Sequence, residues 1–239
     1  MKNLFYLFLS TSMLSFAACQ KDSDPVNPTA NEARIKTETY HGVVDNYAYD
    51  ERGRIIRGIY PDGAKDTVQY YKGYFIEKEY DPQGNLKNLN HYELNADSLV
   101  EIYTSTAQPE YETRYEYDSL HRRIKASSTS PGDLFVIDYF YGPEGNQDSS
   151  VVSRNGARLY TYEYSYLEHQ PNVYTRKTYG RVYFGEESKN LLAGAYYRFP
   201  NPENNDVIQY DYVFDTQGRI ITMTERINGI SEQSNYTYQ

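Results

Sequence analysis

Residues 49–55 read YDERGRI, and the same pattern returns as YDPQGNL at residues 80–86 and as FDTQGRI at residues 214–220. Looser copies begin at Tyr141 and at Tyr117, where the glycine position holds His121, a residue type that tolerates the left-handed region. Asp at the first position of a type I turn accepts backbone N–H bonds, and the later Gly takes the left-handed conformation that lets the returning strand pair. The repeat therefore predicts hairpin corners, and it carries no catalytic chemistry.

Between the corners the sequence alternates with a period of two, and no stretch after residue 37 holds a convincing helical period. Residues 160–166 read YTYEYSY, so four tyrosines share one face of a strand and polar residues share the other. Residues 110–117 and 207–215 alternate in the same way. We therefore expect a sheet with one tyrosine-rich face and one charged face, in which cross-strand aromatic pairs each add roughly 0.2–1 kcal/mol.

The sequence thus predicts an all-β protein, a large antiparallel meander of about 14–16 strands that is rolled into a barrel or split into two packed sheets. Closure would remove strand edges that otherwise pair with neighbouring molecules. Residues 172–184 are predicted to be one of the strands, and residues 185–194 a single helical turn. The sequence PNPENND at residues 200–206 predicts an exposed loop, and this region is the first candidate for a specialised rim.

The N-terminal residues 1–18 have the features of an export signal: charged Lys2, an apolar run, and small residues before Cys19. The apolar run is shorter than the ~20 residues that a membrane-spanning helix needs. Residues 19–36 are rich in Asp, Asn, Pro and Thr, which predicts a flexible tether, and residues 37–239 form the β domain. Cys19 is the only cysteine, so the chain cannot form an internal disulfide bond.

Four resemblances follow from these residues and from the repeat. The sequence FAAC at residues 16–19 resembles the signal of bacterial lipoproteins, which implies a lipid on Cys19, and QKDSD at residues 20–24 resembles the signal that sends Bacteroidota lipoproteins to the outer face of the outer membrane. The repeat resembles the YD repeat of Rhs-type proteins, and its position behind a lipoprotein signal is similar to uncharacterised Bacteroidota lipoproteins described as porin-like. The resemblance implies an antiparallel meander displayed on the cell surface, or else held on the periplasmic leaflet, and it brings no functional residues.

Composition and spacing exclude several functions. The net charge is −9 with no basic run, which excludes nucleic acid as a partner. The four histidines are far apart, and neither a metal-binding HExxH nor a G-x-S-x-G nucleophile motif occurs. We expect no catalytic residues, no metal and no cofactor. A mean hydropathy of −0.80 and charged outward faces predict a body that stands in water, not a pore in the membrane.

Two weaker candidates for chemistry remain. Asn201 and the residues 203–206 place several oxygen ligands close together, as a calcium site would, but with no EF-hand spacing. A chain with 33 acidic residues can also supply a carboxylate pair of the kind that glycosidases use, so a carbohydrate-active enzyme is the least favoured alternative.

Tyrosine is the remaining lead, with 29 residues and no tryptophan. Tyrosine suits both stacking on sugar rings and protein interfaces, although β propensity alone also favours it in strands. The leading prediction is a non-enzymatic, lipid-anchored envelope protein that binds an extracellular glycan, with neutral sugars favoured because no basic patch exists. Tyr183, Tyr196 and Tyr197, near the irregular stretch, are the predicted ligand-binding residues. The alternative is a structural or protein-interaction module of an outer-membrane assembly.

Overall fold

A computed structural model describes residues 33–239, in which the chain forms sixteen β-strands and three short 3-10 helices. The export signal, Cys19 and residues 19–32 of the tether lie outside the described residues. The strands are Ile35–Tyr40 (β1), Val43–Tyr49 (β2), Ile55–Ile59 (β3), Lys65–Tyr71 (β4), Tyr74–Tyr80 (β5), Leu86–Leu94 (β6), Val100–Ser105 (β7), Gln108–Tyr117 (β8), Arg123–Ser130 (β9), Asp133–Tyr141 (β10), Gln147–Arg154 (β11), Ala157–Pro171 (β12), Asn190–Arg198 (β13), Asp206–Phe214 (β14), Ile220–Ile227 (β15) and Ile230–Tyr238 (β16).

The strands form a single closed antiparallel barrel. Each strand pairs with the next one along the chain, and β16 pairs with β1 to close the ring. The predicted all-β meander is therefore confirmed, and of the two arrangements left open by the sequence the chain adopts the barrel. The strand β1 begins at Ile35, which is completely buried, so the barrel starts two residues before the boundary that we predicted at residue 37.

The repeat builds the hairpin corners that the sequence predicts. At the corner between β2 and β3, Oδ1 of Asp50 accepts bonds from the N–H groups of Arg52 and Arg54, and Oδ2 accepts the Arg54 Nε–H at 2.8 Å. Asp118 and Asp215 are bonded in the same pattern at their corners. The glycine position is left-handed in all three, and His121 takes it with a φ of 61°. One carboxylate thus holds both the turn and the first residues of the returning strand.

The repeat tyrosine also has a structural role. At the end of β8, the Tyr117 hydroxyl donates to the carbonyl of Val100, the first residue of the neighbouring strand β7, at 2.8 Å. Five other tyrosines around the same end of the barrel donate in this way to a carbonyl near the start of the neighbouring strand, because backbone carbonyls at strand ends need a partner. We call these residues the tyrosine collar: Tyr49, Tyr117, Tyr141, Tyr166, Tyr212 and Tyr238.

The repeat arginine links one corner to the next hairpin. The Arg54 guanidinium lies over the ring of Tyr70 on β4 at 4.0 Å, and Arg219 lies over Tyr238 on β16 at 4.9 Å. Each arginine thus contacts both its own corner aspartate and an aromatic ring of the following hairpin. Stacking of this kind stabilises a partly desolvated site by about 0.5–2 kcal/mol.

Residues 172–189, which we call the plug, connect β12 to β13 and fill one end of the barrel, the plug end. Tyr183 packs against Tyr70 and Phe75, while the Tyr179 hydroxyl donates to Glu38 at 3.0 Å. The backbone N–H of Glu186 bonds the carbonyl of the corner residue His121 at 2.8 Å. The plug contains two 3-10 helices, Arg176–Tyr179 and Val182–Phe184.

The plug corrects two predictions. Residues 172–184 are not a strand, because their aromatic side chains enter the barrel interior and pack on several strands instead of alternating across a sheet. The predicted helical turn at residues 185–194 is absent: residues 185–189 are irregular, and residues 190–194 begin β13. The predicted loop at residues 200–206 is present at the opposite end, the far end, as a 3-10 helix at Pro202–Asn204 flanked by irregular residues. No helix in residues 33–239 is long and apolar enough to cross a lipid bilayer.

The two faces of the sheet differ as predicted. Along β12, Tyr160 and Tyr162 are buried inside the barrel, whereas Glu163 points outward and forms an ion pair with Arg198 at 2.8 Å. Tyr40 is the single described tyrosine that is exposed by more than 36%. The interior therefore takes most of the tyrosines, and the outer face carries exposed ion pairs. The prediction fails in part, because the interior also holds charged side chains such as Glu77.

Candidate functional site

The barrel interior is divided into two apolar clusters with a cavity beside them. The larger cluster joins the plug to strands β1–β7 and to the aliphatic repeat residues Ile55 and Ile220. A smaller cluster, built on Val152, Tyr160 and Tyr162, lies toward the far end of strands β10–β13. Between the smaller cluster and the plug, the strands β9–β15 line a cavity of about 350 Å³. This volume falls within the range of pockets that hold small ligands.

The wall of this cavity is made of tyrosine and polar side chains. Tyr164 and Tyr166 come from β12, Tyr210 and Tyr212 come from β14, and Ser188 of the plug lies at the base. The Tyr164 hydroxyl shares a hydrogen bond with Ser150, and Tyr210 donates to Oε1 of Glu225 at 2.8 Å. Burial raises the pKa of Tyr164 and of Tyr210. Their hydroxyls therefore stay protonated and can both donate and accept hydrogen bonds.

Three polar side chains of the cavity wall have no hydrogen-bond partner in the described part of the chain: the Arg123 guanidinium, the Tyr139 hydroxyl and the Gln147 amide. They come from the start of β9, the end of β10 and the start of β11, so they are neighbours around the barrel. The Arg123 guanidinium lies 5.2 Å from the ring centre of Tyr115 and 5.3 Å from that of Tyr139. The cavity wall thus contains a cationic side chain, Arg123, packed between aromatic rings.

The opposite side of the interior is acidic. Glu77 is 1% exposed and accepts bonds from the Asn90 amide and the Tyr92 hydroxyl, both at 2.9 Å. Burial raises the pKa of Asp66 to about 6 and also that of Asp45 to about 6. Two carboxyl groups of this side, on β2 and β4, therefore have pKa values well above those of ordinary aspartates.

The predicted ligand-binding tyrosines lie in three different environments. Tyr183 is 3% exposed in the plug, where its hydroxyl accepts a bond from Arg54. Tyr197 packs on Tyr162 inside the barrel, at a ring distance of 4.1 Å. Tyr196 lies on the outer face, with its hydroxyl accepting from the Asn205 amide. The three residues do not form one exposed shelf, and their part in ligand binding stays a prediction.

The weaker candidates have structural partners. Asn205 bonds the Phe199 N–H and the Tyr196 hydroxyl, and Asp206 accepts from the Asn228 amide, so these oxygen ligands hold the loop together. His41 lies 3.5 Å from Glu232 on the outside. Within residues 33–239, no group of three or more His, Cys, Asp and Glu side chains is placed to hold a metal ion.

Sequence reasoning missed Arg123, although the repeat contains the signal. Pairing across the corners shows which residues are equivalent: Tyr49 faces Ile55, and Tyr117 faces Arg123. Arg122 bonds the corner aspartate as Arg54 does, so Arg123, and not Ile124, occupies the position of Ile55. A buried aliphatic position has become a cation, and an alignment of the copies on their basic residue would have revealed it.

A plugged, closed antiparallel barrel of sixteen strands is the class that this architecture defines. It resembles the crystal structure of a porin-like protein from Bacteroides uniformis ATCC 8492, with a TM-score of 0.64 and 14% identity over 89% of this chain and 98% of that chain. A porin-like protein from Bacteroides vulgatus ATCC 8482 gives a TM-score of 0.55 and 12% identity over 87% and 99%. No family model and no curated protein matches the chain.

At these identities the likeness is one of fold. The expectation of a porin-like fold is therefore confirmed, while the resemblance to Rhs-type proteins and the lipid on Cys19 stay predictions.

Proposed function

We propose that this protein is a non-enzymatic, lipid-anchored barrel of the cell envelope that binds a glycan in its interior cavity. The observation that carries the proposal is the cavity between the plug and the cluster on Val152, because its wall combines tyrosine rings with hydroxyl, amide and carboxyl groups. Sugars need both surfaces: their ring faces pack on aromatic rings, and their hydroxyls bond to polar groups. Since the described tyrosines point mostly inward, a glycan would bind inside and not on an outer shelf.

The position of the N-terminus supports an anchored orientation. The chain enters the barrel at Arg34 on the plug end, where Gln239 donates its N–H to the Arg34 carbonyl at 3.0 Å. A lipid on Cys19 would hold the plug end toward the membrane and turn the far end outward. Ion pairs on the outer face, such as Arg154 with Asp133 and Arg198 with Glu163, suit a barrel that stands in water.

A glycan array with the full chain, extracted with its lipid in mild detergent, tests the binding. We expect saturable binding that is lost in Tyr139→Leu, because this substitution removes a cavity ring whose hydroxyl bonds no described residue. Tyr74→Leu on the outer face, stacked on Tyr71, is the matched control and should bind as the wild type does. Silence across the array would overturn glycan binding and favour the alternative of a structural or protein-interaction module.

Cys19→Ala tests the anchor separately. We expect the variant to leave the membrane fraction, and we expect protease added to intact cells to digest the wild-type barrel. Protection of the wild type would place the protein on the periplasmic leaflet, and a Cys19→Ala variant that stays in the membrane would contradict lipid anchoring.

A further inference from the structure

The cavity lies where the repeat departs from its own pattern. At three corners of the plug end, the residue that faces the end of the preceding strand is a buried aliphatic one: Ile55 faces Tyr49, Ile220 faces Phe214, and Val100 faces Leu94 at a corner without the repeat aromatic. In the two neighbouring copies this residue is Arg123 and Gln147. Both are in the wall of the cavity. The barrel therefore has polar residues in place of core aliphatics at two neighbouring corners. Among the plug-end corners of residues 33–239 that start with Asp, Asn or Gly, only the two beside this cavity show this change.

A cation at such a position is unfavourable unless something compensates it. Transferring a charged group from water into a protein interior has a large free-energy cost, and here the described residues give Arg123 only the ring faces of Tyr115 and Tyr139. The guanidinium keeps its five N–H donors, which match the two oxygens of a carboxylate. The hydroxyl of Tyr139 and the amide of Gln147 are further donors in the same wall.

We infer that Arg123 binds the carboxylate of an acidic sugar in this cavity, with Gln147 and Tyr139 as additional donors. This inference rests on the proposed glycan function and narrows its ligand to a class. The acidic sugar differs from the neutral sugars that the composition favours. Composition reveals a basic patch, whereas the cation of this cavity is one interior side chain, Arg123.

The other groups of the wall favour a sugar monocarboxylate over a phosphate. Glu225, Glu186 and Glu187 also line the cavity, and their charges oppose a doubly charged anion more strongly than a single carboxylate. Carboxylates accept hydrogen bonds from sugar hydroxyls, while the ring of Tyr210 offers an apolar face. A ligand with one carboxylate and several hydroxyls on a ring satisfies both kinds of group.

Calorimetric titration of the full lipidated chain in detergent tests the inference with three probes. Methyl β-glucuronide and methyl β-glucoside differ only in carboxylate against hydroxymethyl, and cyclohexanecarboxylate has the carboxylate without the hydroxyls. We expect the glucuronide to bind at least about tenfold more tightly than either of the others, because it alone offers both a carboxylate for Arg123 and hydroxyls for the other wall groups.

Two variants of the same residue keep the test independent of folding. Arg123→Gln should abolish the preference for the glucuronide. Arg123→Ile restores the residue type of the other copies and should do the same while raising the melting temperature, because an aliphatic side chain replaces a charge in the interior. Arg114→Gln on the outer face, where Arg114 pairs with Glu112, is the matched control and should titrate as the wild type does.

The outcomes separate the two proposals. Equal binding of glucuronide and glucoside, unchanged in Arg123→Gln, overturns the acidic ligand and leaves glycan binding standing. Arg123-dependent binding of cyclohexanecarboxylate that matches the glucuronide overturns the sugar and, with it, the proposed function. If none of the three probes binds, the acidic-sugar inference fails, and the result of the glycan array decides the proposed function.

Discussion

At the scale of single residues, the barrel depends on the bonding capacity of two side chains in the repeat. The corner aspartate accepts backbone and side-chain donors together, as Asp215 does from Gln217 and Arg219. The tyrosine of the collar satisfies a carbonyl that begins the neighbouring strand, as Tyr238 does for Ile220. Local chemistry of this kind explains why the corners could be predicted from the sequence.

The hydroxyl bond of the collar is testable by deletion of one oxygen. Tyr238→Phe removes the bond to the Ile220 carbonyl at 2.7 Å and keeps the ring beneath Arg219. We expect a loss of about 1–2 kcal/mol in the free energy of unfolding, because a buried carbonyl is left without a donor. Urea titration followed by circular dichroism measures it. In Tyr74→Phe, the outer-face control, the change should stay below about 0.5 kcal/mol, and equal effects of the two substitutions would contradict the role of the collar.

At the scale of elements, the plug is held by close backbone contact. Gly180 has a φ of 71°, and a Cβ atom there would lie 2.6 Å from the N of Ile55 and 2.7 Å from the O of Gly53. The plug therefore sits directly on the β2–β3 corner, and only a glycine allows it. This contact joins the plug to the corner that the first copy of the repeat builds.

Gly180→Ala should loosen the plug. Neither backbone atom can move far without breaking the corner, so we expect a loss of more than about 2 kcal/mol, with new protease cleavage within residues 172–189. Gly156→Ala shares the left-handed backbone, with a φ of 78°, but its Cβ would meet nothing within 4 Å. It should lose only about 1 kcal/mol and show no cleavage in the plug. A Gly180→Ala variant that resists protease as well as this control would show that the plug tolerates displacement.

The plug also marks the limit of sequence reasoning. Its stabilising contacts join residues far apart in the chain, such as Arg54 with Tyr183 and Glu38 with Tyr179. No local pattern encodes them, and the aromatic content of residues 172–184 is typical of a strand.

The cavity was missed for the same reason, because the neighbours of Arg123 come from other strands. Closure between β1 and β16 likewise depends on residues at opposite ends of the chain.

At the scale of the whole molecule, the strands β1–β4 place three carboxyl groups with raised pKa values in the barrel interior. Burial raises the pKa of Asp45 and of Asp66 to about 6 and also raises that of Glu38. Between their ordinary values and about pH 6 the folded barrel binds more protons than the unfolded chain, so its stability falls as the pH rises. The corner carboxyls Asp118 and Asp215 have lowered pKa values, and they affect stability only below about pH 4.

The barrel should accordingly be more stable at pH 5 than at pH 8. Asp45→Asn should reduce this difference by about 0.5–1 kcal/mol. Only about one pKa unit of the shift, or about 1.4 kcal/mol, is lost between pH 5 and pH 8, and solvent around a half-buried group reduces it further. Urea unfolding at the two pH values measures it, with the exposed Asp97→Asn as the control that leaves the difference unchanged. A wild type that is more stable at pH 8 would contradict the assignment.

The bond between Gln239 and Arg34 shows that the first and last residues of the barrel chain lie side by side at the plug end. Because β16 pairs with β1 as any other two neighbours pair, the ring has no structural beginning. A short linker across this junction, with the chain cut at the turn of residues 155–156, would give a circular permutant with the same strand neighbours. Gene order and spatial order are therefore separable in this fold, because a segment joined before Arg34 or after Gln239 would leave the barrel at the same end, the plug end.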